Sequence, residues 1–401
     1  MEALVMNGKL ACGKTILTGN KAAAYGFALA ELDVFGGYPI TPSTEITEEM
    51  ALLTSRGVIS TTYRNTDSEL ASMALGIGVA TAGGRYGTAT SSQGLALMFE
   101  LLHWATTAEL PLVIVNTNRS LGAPWSIHPD QTDSLLFRDL FMPQIYCSSV
   151  QEALDMVLWA YRLAENPRVN LPILVCLDGF MLSHTAETAI IPAQESVREF
   201  LPKKRFCKDS MLPEFGDKKI VNLQCPYNWK EHSRRKKALV SAMQSAYNAI
   251  PEIAKDWHRI FGENYGNGFL RISGDPNTKI AIISMGAIVG TIEEAFADKP
   301  VKVISLRFFR PFPAKELRNA IGNASKIIVI DRSILPNGHG VIADELRLAS
   351  GACGYNGADI HSFVGGFGGQ NFSEENFLNM LSAILSEIGP FKKTYWMGDA
   401  P

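Results

Sequence analysis

At 401 residues, with 46% hydrophobic and 19% charged side chains, the chain is a well-buried globular protein too long for one small core, so two domains with a connecting segment are expected. A net charge of −3 and no long basic run exclude a general field for nucleic acid or an anionic membrane. No apolar stretch reaches the roughly 20 residues of a membrane span.

The predicted elements alternate between strand and helix from about 15 to 188. A helix begins near Asn20 and a strand covers Val34–Tyr38, ended by Gly36-Gly37. Pro39 keeps Tyr38 extended. Thr41 is expected to cap a helix whose first residue is Pro42, with Glu45, Glu48 and Glu49 in its early turns. Val58–Tyr63 reads as a strand and Asp67–Ala82 as a helix, opened by a capping box of Thr66 and Glu69. A short strand Tyr86–Ala89, a helix Ser92–Ala105 and an apolar strand Leu112–Asn116 follow. Helix Val150–Ala164 and the buried strand Ile173–Leu177 complete the run. Alternation with apolar strands means a parallel sheet covered on both faces.

From about 189 to 277 the basic clusters Lys203-Lys204-Arg205, Lys218-Lys219 and Arg234-Arg235-Lys236-Lys237 alternate with prolines. This reads as a surface arm leading to a helix from about 233 to 261. A second α/β unit over 278–392 has strands at Ile280–Met285, Val301–Leu306 and Ile327–Asp331. Its helices are expected at Gly290–Ala297, Ala314–Ala320 and Val341–Leu348, with a bend at Arg310-Pro311-Phe312-Pro313. The fold class expected is α/β, with two doubly wound parallel-sheet domains, 15–188 and 278–392, joined by 189–277.

The six cysteines form no Cys-x-x-Cys pair, which argues against an iron–sulfur cluster or structural zinc held by this chain alone. With the N-terminal apolar runs broken by Glu2, Lys9 and Lys14, a cytoplasmic location is expected.

Three strings stand at strand-to-helix junctions, where open parallel sheets bind ligands. They are Tyr38-Pro39-Ile40-Thr41-Pro42, Thr88-Ala89-Thr90-Ser91-Ser92-Gln93-Gly94-Leu95 and Val115-Asn116-Thr117-Asn118-Arg119. Each alone reads as an ordinary capped turn or a surface charge. The small hydroxyl residues and Gly94 allow a ligand close to backbone N–H groups. An arginine at a strand end can fork onto a carboxylate. Ala123-Pro124-Trp125 and Asp130-Gln131 follow, with His128 between them. Trp125 reads as packing and His128 as a loop residue or a substrate contact. Gly365-Gly366-Phe367-Gly368-Gly369-Gln370 lacks the spacing of a phosphate loop and reads as a tight turn or an interface.

Together these strings resemble the α subunit of the 2-oxoacid:ferredoxin oxidoreductases, densely over about 15–187 and more loosely over 278–375. There Met285-Gly286, Arg310-Pro311-Phe312-Pro313 and Asp331-Arg332 echo the transketolase C-terminal-like domain. The resemblance implies a thiamine diphosphate-binding domain of the pyrimidine type. Glu69 would bond the pyrimidine N1′, with Asp67 as the alternative acid. Pro39, Ile40, Thr90, Ser92 and Gln93 would line the cofactor, and Thr41 and Arg119 would orient the substrate, with His128 nearby. Leu70 and His128 stand where relatives often carry histidine and tryptophan. No Gly-Asp-Gly followed by an Asn pair is present, so this chain would hold the pyrimidine end of a shared cofactor. A β subunit would hold the diphosphate, Mg2+ and an iron–sulfur cluster, beside γ-type and ferredoxin-like subunits. The implied reaction is coenzyme A-dependent oxidative decarboxylation of a 2-oxoacid, pyruvate first, with branched-chain or aromatic acids open. Another thiamine diphosphate enzyme, transketolase-like or from a dehydrogenase complex, and a non-catalytic structural subunit are the alternatives.

Overall fold

The computed structural model describes residues 5–6, 9–203, 229–353, 359–386 and 394–397. Two sheets organise it. The larger has seven strands in the order Phe308–Arg310, Gln144–Tyr146, Ile173–Asp178, Val113–Asn118, Tyr86–Thr90, Val34–Gly37, Thr62–Asn65. All neighbours are parallel except Phe308–Arg310, which runs antiparallel to Gln144–Tyr146. The central strands Val113–Asn118 and Ile173–Asp178 are buried at every position, which is why they read as apolar runs rather than alternating ones. Helices Gly19–Leu29 and Val150–Ala164 pack together on this sheet. An antiparallel ribbon of Gly13–Thr18 and Ala186–Ile191 ties the beginning and end of the unit together.

Three local expectations change. The helix after Gly37 spans Thr44–Ser55, beyond Pro42. Ser43 folds back instead, its N–H and its hydroxyl both donating to the Ile40 carbonyl at 2.9 and 2.8 Å. Thr41 therefore sits in a turn and caps nothing. The strand expected at Val58–Tyr63 runs over Thr62–Asn65, because the Val58 N–H closes the preceding helix on the Leu53 carbonyl at 3.0 Å. Helix Glu69–Thr81 is capped by Ser68, whose hydroxyl accepts the Ala71 N–H at 3.1 Å. Thr66 instead donates its N–H and hydroxyl to the Gly37 carbonyl. The capping box is absent, and Glu69 is released from that duty.

The second sheet runs Leu270–Gly274, Lys302–Leu306, Ile280–Ser284, Lys326–Asp331, Asp359–Val364, Thr394–Trp396, antiparallel only at Leu270–Gly274. Helices Ile288–Ala295, Ala314–Ile321 and Val341–Cys353 match expected positions, and Glu374–Ser386 adds a further one. Strand Phe308–Arg310 leaves this sheet immediately after Lys302–Leu306 and completes the edge of the first. At that crossing the buried Arg307 guanidinium bonds Glu152 at 2.8 and 3.0 Å and the Gly268 carbonyl at 2.9 Å, and lies over the Tyr265 ring.

The expected surface arm is more integrated than its charge suggests. Helix Trp229–Phe261 buries Leu239, Ala246, Ile250 and Trp257, and Trp257 stacks edge-on against Phe200 with centroids 4.9 Å apart. Lys204-Arg205 and Lys218-Lys219 lie outside the described residues. Among the described residues no helix is long and apolar enough to cross a membrane.

Candidate active site

Strands Val34–Gly37, Tyr86–Thr90 and Val113–Asn118 are parallel neighbours, so their carboxyl ends and the loops that follow open on one edge of the sheet. The first loop carries Pro39, Ile40 and Thr41. Pro39 and Thr41 are exposed, and Ile40 is half-buried. Pro42 is buried and anchors the loop, its carbonyl accepting from Asn20 Nδ2 at 2.8 Å. Gly179 sits where this loop meets the others. A Cβ there would lie 2.6 Å from the Asn118 carbonyl, 2.9 Å from the Ile127 carbonyl and 3.1 Å from Pro42 Cγ. Thr41 is thereby brought to the end of the strand that leads into Arg119.

Glu69 opens helix Glu69–Thr81 and is only 6% exposed. Among the described residues its carboxylate takes no hydrogen bond or ion pair. It lies against Gly94 so closely that a Cβ on Gly94 would overlap both Glu69 Oε1 and Thr90 Oγ1. Only glycine leaves that space open. Thr90 Oγ1, on the other side of that gap, is buried without a hydrogen-bond partner within the described chain, as are Ser91 Oγ and Gln93 Oε1 in the turn that follows. Buried polar atoms normally have partners. A buried acid without a partner among the described residues, beside an unpaired Thr90 hydroxyl, is complementary to a polar, nitrogen-bearing ring. The residues fit the pyrimidine end of thiamine diphosphate. Leu70, next in the chain, is 39% exposed and turns away from this core.

Ser92 and Arg119 are linked by a residue the sequence did not single out. Asp133 is fully buried and accepts N–H groups from Ser92 (3.0 Å), Asn116 Nδ2 (2.9 Å), Asn118 Nδ2 (2.6 Å), Arg119 (3.3 Å) and Ser134 (2.7 Å). Burial pushes its pKa up to about 7, while the Asn116, Asn118, Ser134 and Ser92 donors pull it down. Its signal was present as Asn116 and Asn118 in a strand buried at every position, where they need a buried partner. The Arg119 side chain is half-buried, its Nε buried without a partner in the described chain. Burial lowers its pKa and nearby Asp133 raises it. Its backbone is bound but its guanidinium is available to a ligand.

His128 lies on the second unit's side of the site. Its ring is 5.6 Å from Phe180, and a Cβ on Gly369 would come within 2.7 Å of its Cδ2. The glycine-rich segment thus packs against the His128 loop. The two units also meet at Asp178, the last residue of strand Ile173–Asp178. It accepts from the Ala287 N–H at 2.8 Å, Gln131 Nε2 at 3.2 Å and Arg332 Nη1 at 3.4 Å. Gly286, at φ +81°, leaves no room for a side chain beside that carboxylate. Trp125 is 72% exposed and does not pack against the described residues, contrary to expectation.

Comparison with known proteins agrees with this architecture. Residues 25–255 match the pyruvate flavodoxin/ferredoxin oxidoreductase, thiamine diphosphate-binding family model, and residues 278–377 match pyruvate:ferredoxin oxidoreductase core domain II. Pyruvate synthase subunit PorA of Methanocaldococcus jannaschii is 34% identical over 402 residues, covering 96% of this chain and 98% of the relative. Ketoisovalerate oxidoreductase subunit VorA of Pyrococcus abyssi is 36% identical over 368 residues, covering 90% of each. A solved 2-oxoglutarate:ferredoxin oxidoreductase from Magnetococcus marinus, with 2-oxoglutarate, coenzyme A and succinyl-CoA bound, superposes with a TM-score of 0.68 at 21% identity. That superposition covers 93% of this chain and 65% of the solved one, and it shows a shared fold. The first family model spans more than half of the chain and PorA aligns with nearly all of it; the chain belongs to the pyruvate flavodoxin/ferredoxin oxidoreductase family.

Proposed function

We propose that this chain is the α subunit of a thiamine diphosphate-dependent 2-oxoacid:acceptor oxidoreductase of the cytoplasm. The reaction is coenzyme A-dependent oxidative decarboxylation of a 2-oxoacid to acyl-CoA and carbon dioxide. Two electrons pass to iron–sulfur clusters in partner subunits. The observation that carries the reading is the buried, unpaired Glu69 carboxylate against Gly94.

In this reading Glu69 bonds the pyrimidine N1′ and governs the proton there. Pro39, Ile40, Thr90, Ser92 and Gln93 line the cofactor. When bound, thiamine diphosphate supplies the electron sink for the carbon–carbon bond that loses carbon dioxide. Arg119 forks onto the substrate carboxylate, Thr41 lies against the keto group, and His128 forms part of the pocket wall. A β subunit supplies the diphosphate and Mg2+ site and a cluster, and γ-type and ferredoxin-like subunits complete the assembly. Pyruvate is the favoured substrate. A branched-chain 2-oxoacid is the second reading, supported by the 36% identity to ketoisovalerate oxidoreductase subunit VorA.

The test uses the native complex, purified without oxygen. Coenzyme A-dependent viologen reduction is followed with pyruvate, 2-oxoglutarate, 2-oxoisovalerate and an aryl 2-oxoacid. One clear rate fixes the specificity. No rate with any of them, in a preparation that holds thiamine diphosphate and intact clusters, would overturn the reading in favour of a non-oxidative thiamine enzyme. Arg119→Lys keeps the charge but loses the fork. It is expected to raise the 2-oxoacid KM about 30-fold, as for the loss of a charge-assisted hydrogen bond of about 2 kcal/mol. An unchanged KM would remove Arg119 from the substrate site.

A further inference from the structure

Asp133 joins two parts of the site that the chain keeps separate. Its Oδ2 accepts the Ser92 and Arg119 backbone N–H groups and Asn116 Nδ2, and its Oδ1 accepts the Ser134 N–H and Asn118 Nδ2. One carboxylate therefore gathers the turn after strand Tyr86–Thr90, the end of strand Val113–Asn118 and the short helix Thr132–Leu135. We propose that Asp133 is a positioning residue that holds the substrate clamp and the cofactor wall in one relative geometry.

Two features distinguish this from ordinary scaffolding. Ser92 is held at φ +47°, ψ −112°, a backbone conformation side chains seldom adopt and keep only when their surroundings impose it. The Asp133 bond to its N–H and the Ser92 hydroxyl bond to the Ser120 carbonyl at 2.6 Å are that imposition. Second, both asparagine amides turn their NH2 groups to Asp133 and leave Oδ1 of Asn116 and Asn118 buried without partners. The carboxylate sets their orientation at the expense of their own oxygens.

An asparagine at 133 keeps the volume but offers one acceptor and one NH2 group. The amides of Asn116 and Asn118 can turn to meet it. The backbone N–H groups cannot, so a donor faces either Ser134 or the Ser92–Arg119 pair. The substrate clamp and the cofactor wall then relax together.

The inference rests on the function proposed above. The experiment compares the native complex with Asp133→Asn and Arg119→Lys forms, measuring the 2-oxoacid KM and the thiamine diphosphate Kd after cofactor removal. Asp133→Asn is expected to raise both constants about tenfold, whereas Arg119→Lys raises the KM alone. An assembled Asp133→Asn complex with both constants within about twofold of wild type, whatever its thermal stability, overturns the inference. Should that variant not assemble, Asn118→Ser removes one bond to Asp133 and keeps its carboxyl group. It is expected to raise both constants less, and unchanged constants there overturn the inference equally. A wild-type complex that oxidises no 2-oxoacid would sink the proposed function instead, and the cofactor Kd would still decide the role of Asp133.

Discussion

Glu69→Ala in the assembled complex is expected to lower viologen reduction by about 10³-fold while leaving subunit stoichiometry intact. The separation of effects follows from the helix start. Ser68 caps helix Glu69–Thr81 through the Ala71 N–H, so the helix keeps its capped end when residue 69 changes. The Glu69 carboxylate bonds nothing else in the described chain, so no protein partner is orphaned by its loss. What disappears is the acid that Gly94 and Thr90 leave room for. Glu69→Gln, which keeps the shape and a hydrogen bond but not the acidity, is expected to lie between the two. Turnover and subunit ratio, measured on the same preparation, separate the outcomes. Undiminished turnover in Glu69→Ala would favour the alternative of a structural subunit.

Arg307→Met is expected to destabilise the protein by about 3–5 kcal/mol, because it leaves the buried Glu152 carboxylate without its cation. Both side chains are almost inaccessible, and Glu152 retains only the Ser148 N–H and hydroxyl after the change. Burial raises the Glu152 pKa, but Arg307 and the Ser148 donors outweigh it and hold the group below the usual carboxylate range. A depressed carboxylate contributes stability that is present above its unfolded pKa and lost as pH falls through its folded pKa. The penalty of Arg307→Met is therefore largest near neutral pH and shrinks in acid. Urea midpoints at pH 7.5 and 4.5 measure it. Adding Glu152→Met should recover most of the loss. Equal midpoints for Arg307→Met and wild type at neutral pH would mean that water replaces the guanidinium.

The alternating order of the first unit and the three central strands of the second were legible, because apolar runs buried on both faces look alike in any context. Other strands were not. Asp359–Val364 carries Asp359, His361 and Ser362 among its six residues, and Leu270–Gly274 is exposed at three of five positions. Neither shows a hydrophobic period. The Thr41 turn was misjudged because proline at a helix start and proline in a turn share their local signals, and the Ile40 carbonyl decided between them. Glu69, Thr90 and Arg119 were singled out by likeness to a family rather than by spacing. Asp133 was missed because its partners approach from three directions, a relation that no local window contains.

The strand Phe308–Arg310 bears on how the chain comes to be made. The Gln144–Tyr146 edge of the first sheet stays uncovered until residues 308–310 leave the ribosome, after the basic helix and the opening strands of the second sheet. An open edge with an apolar face is a template for pairing with other chains. A first unit that folded before then would expose that edge, and the chain's charged, proline-interrupted middle segment is synthesised during the same interval.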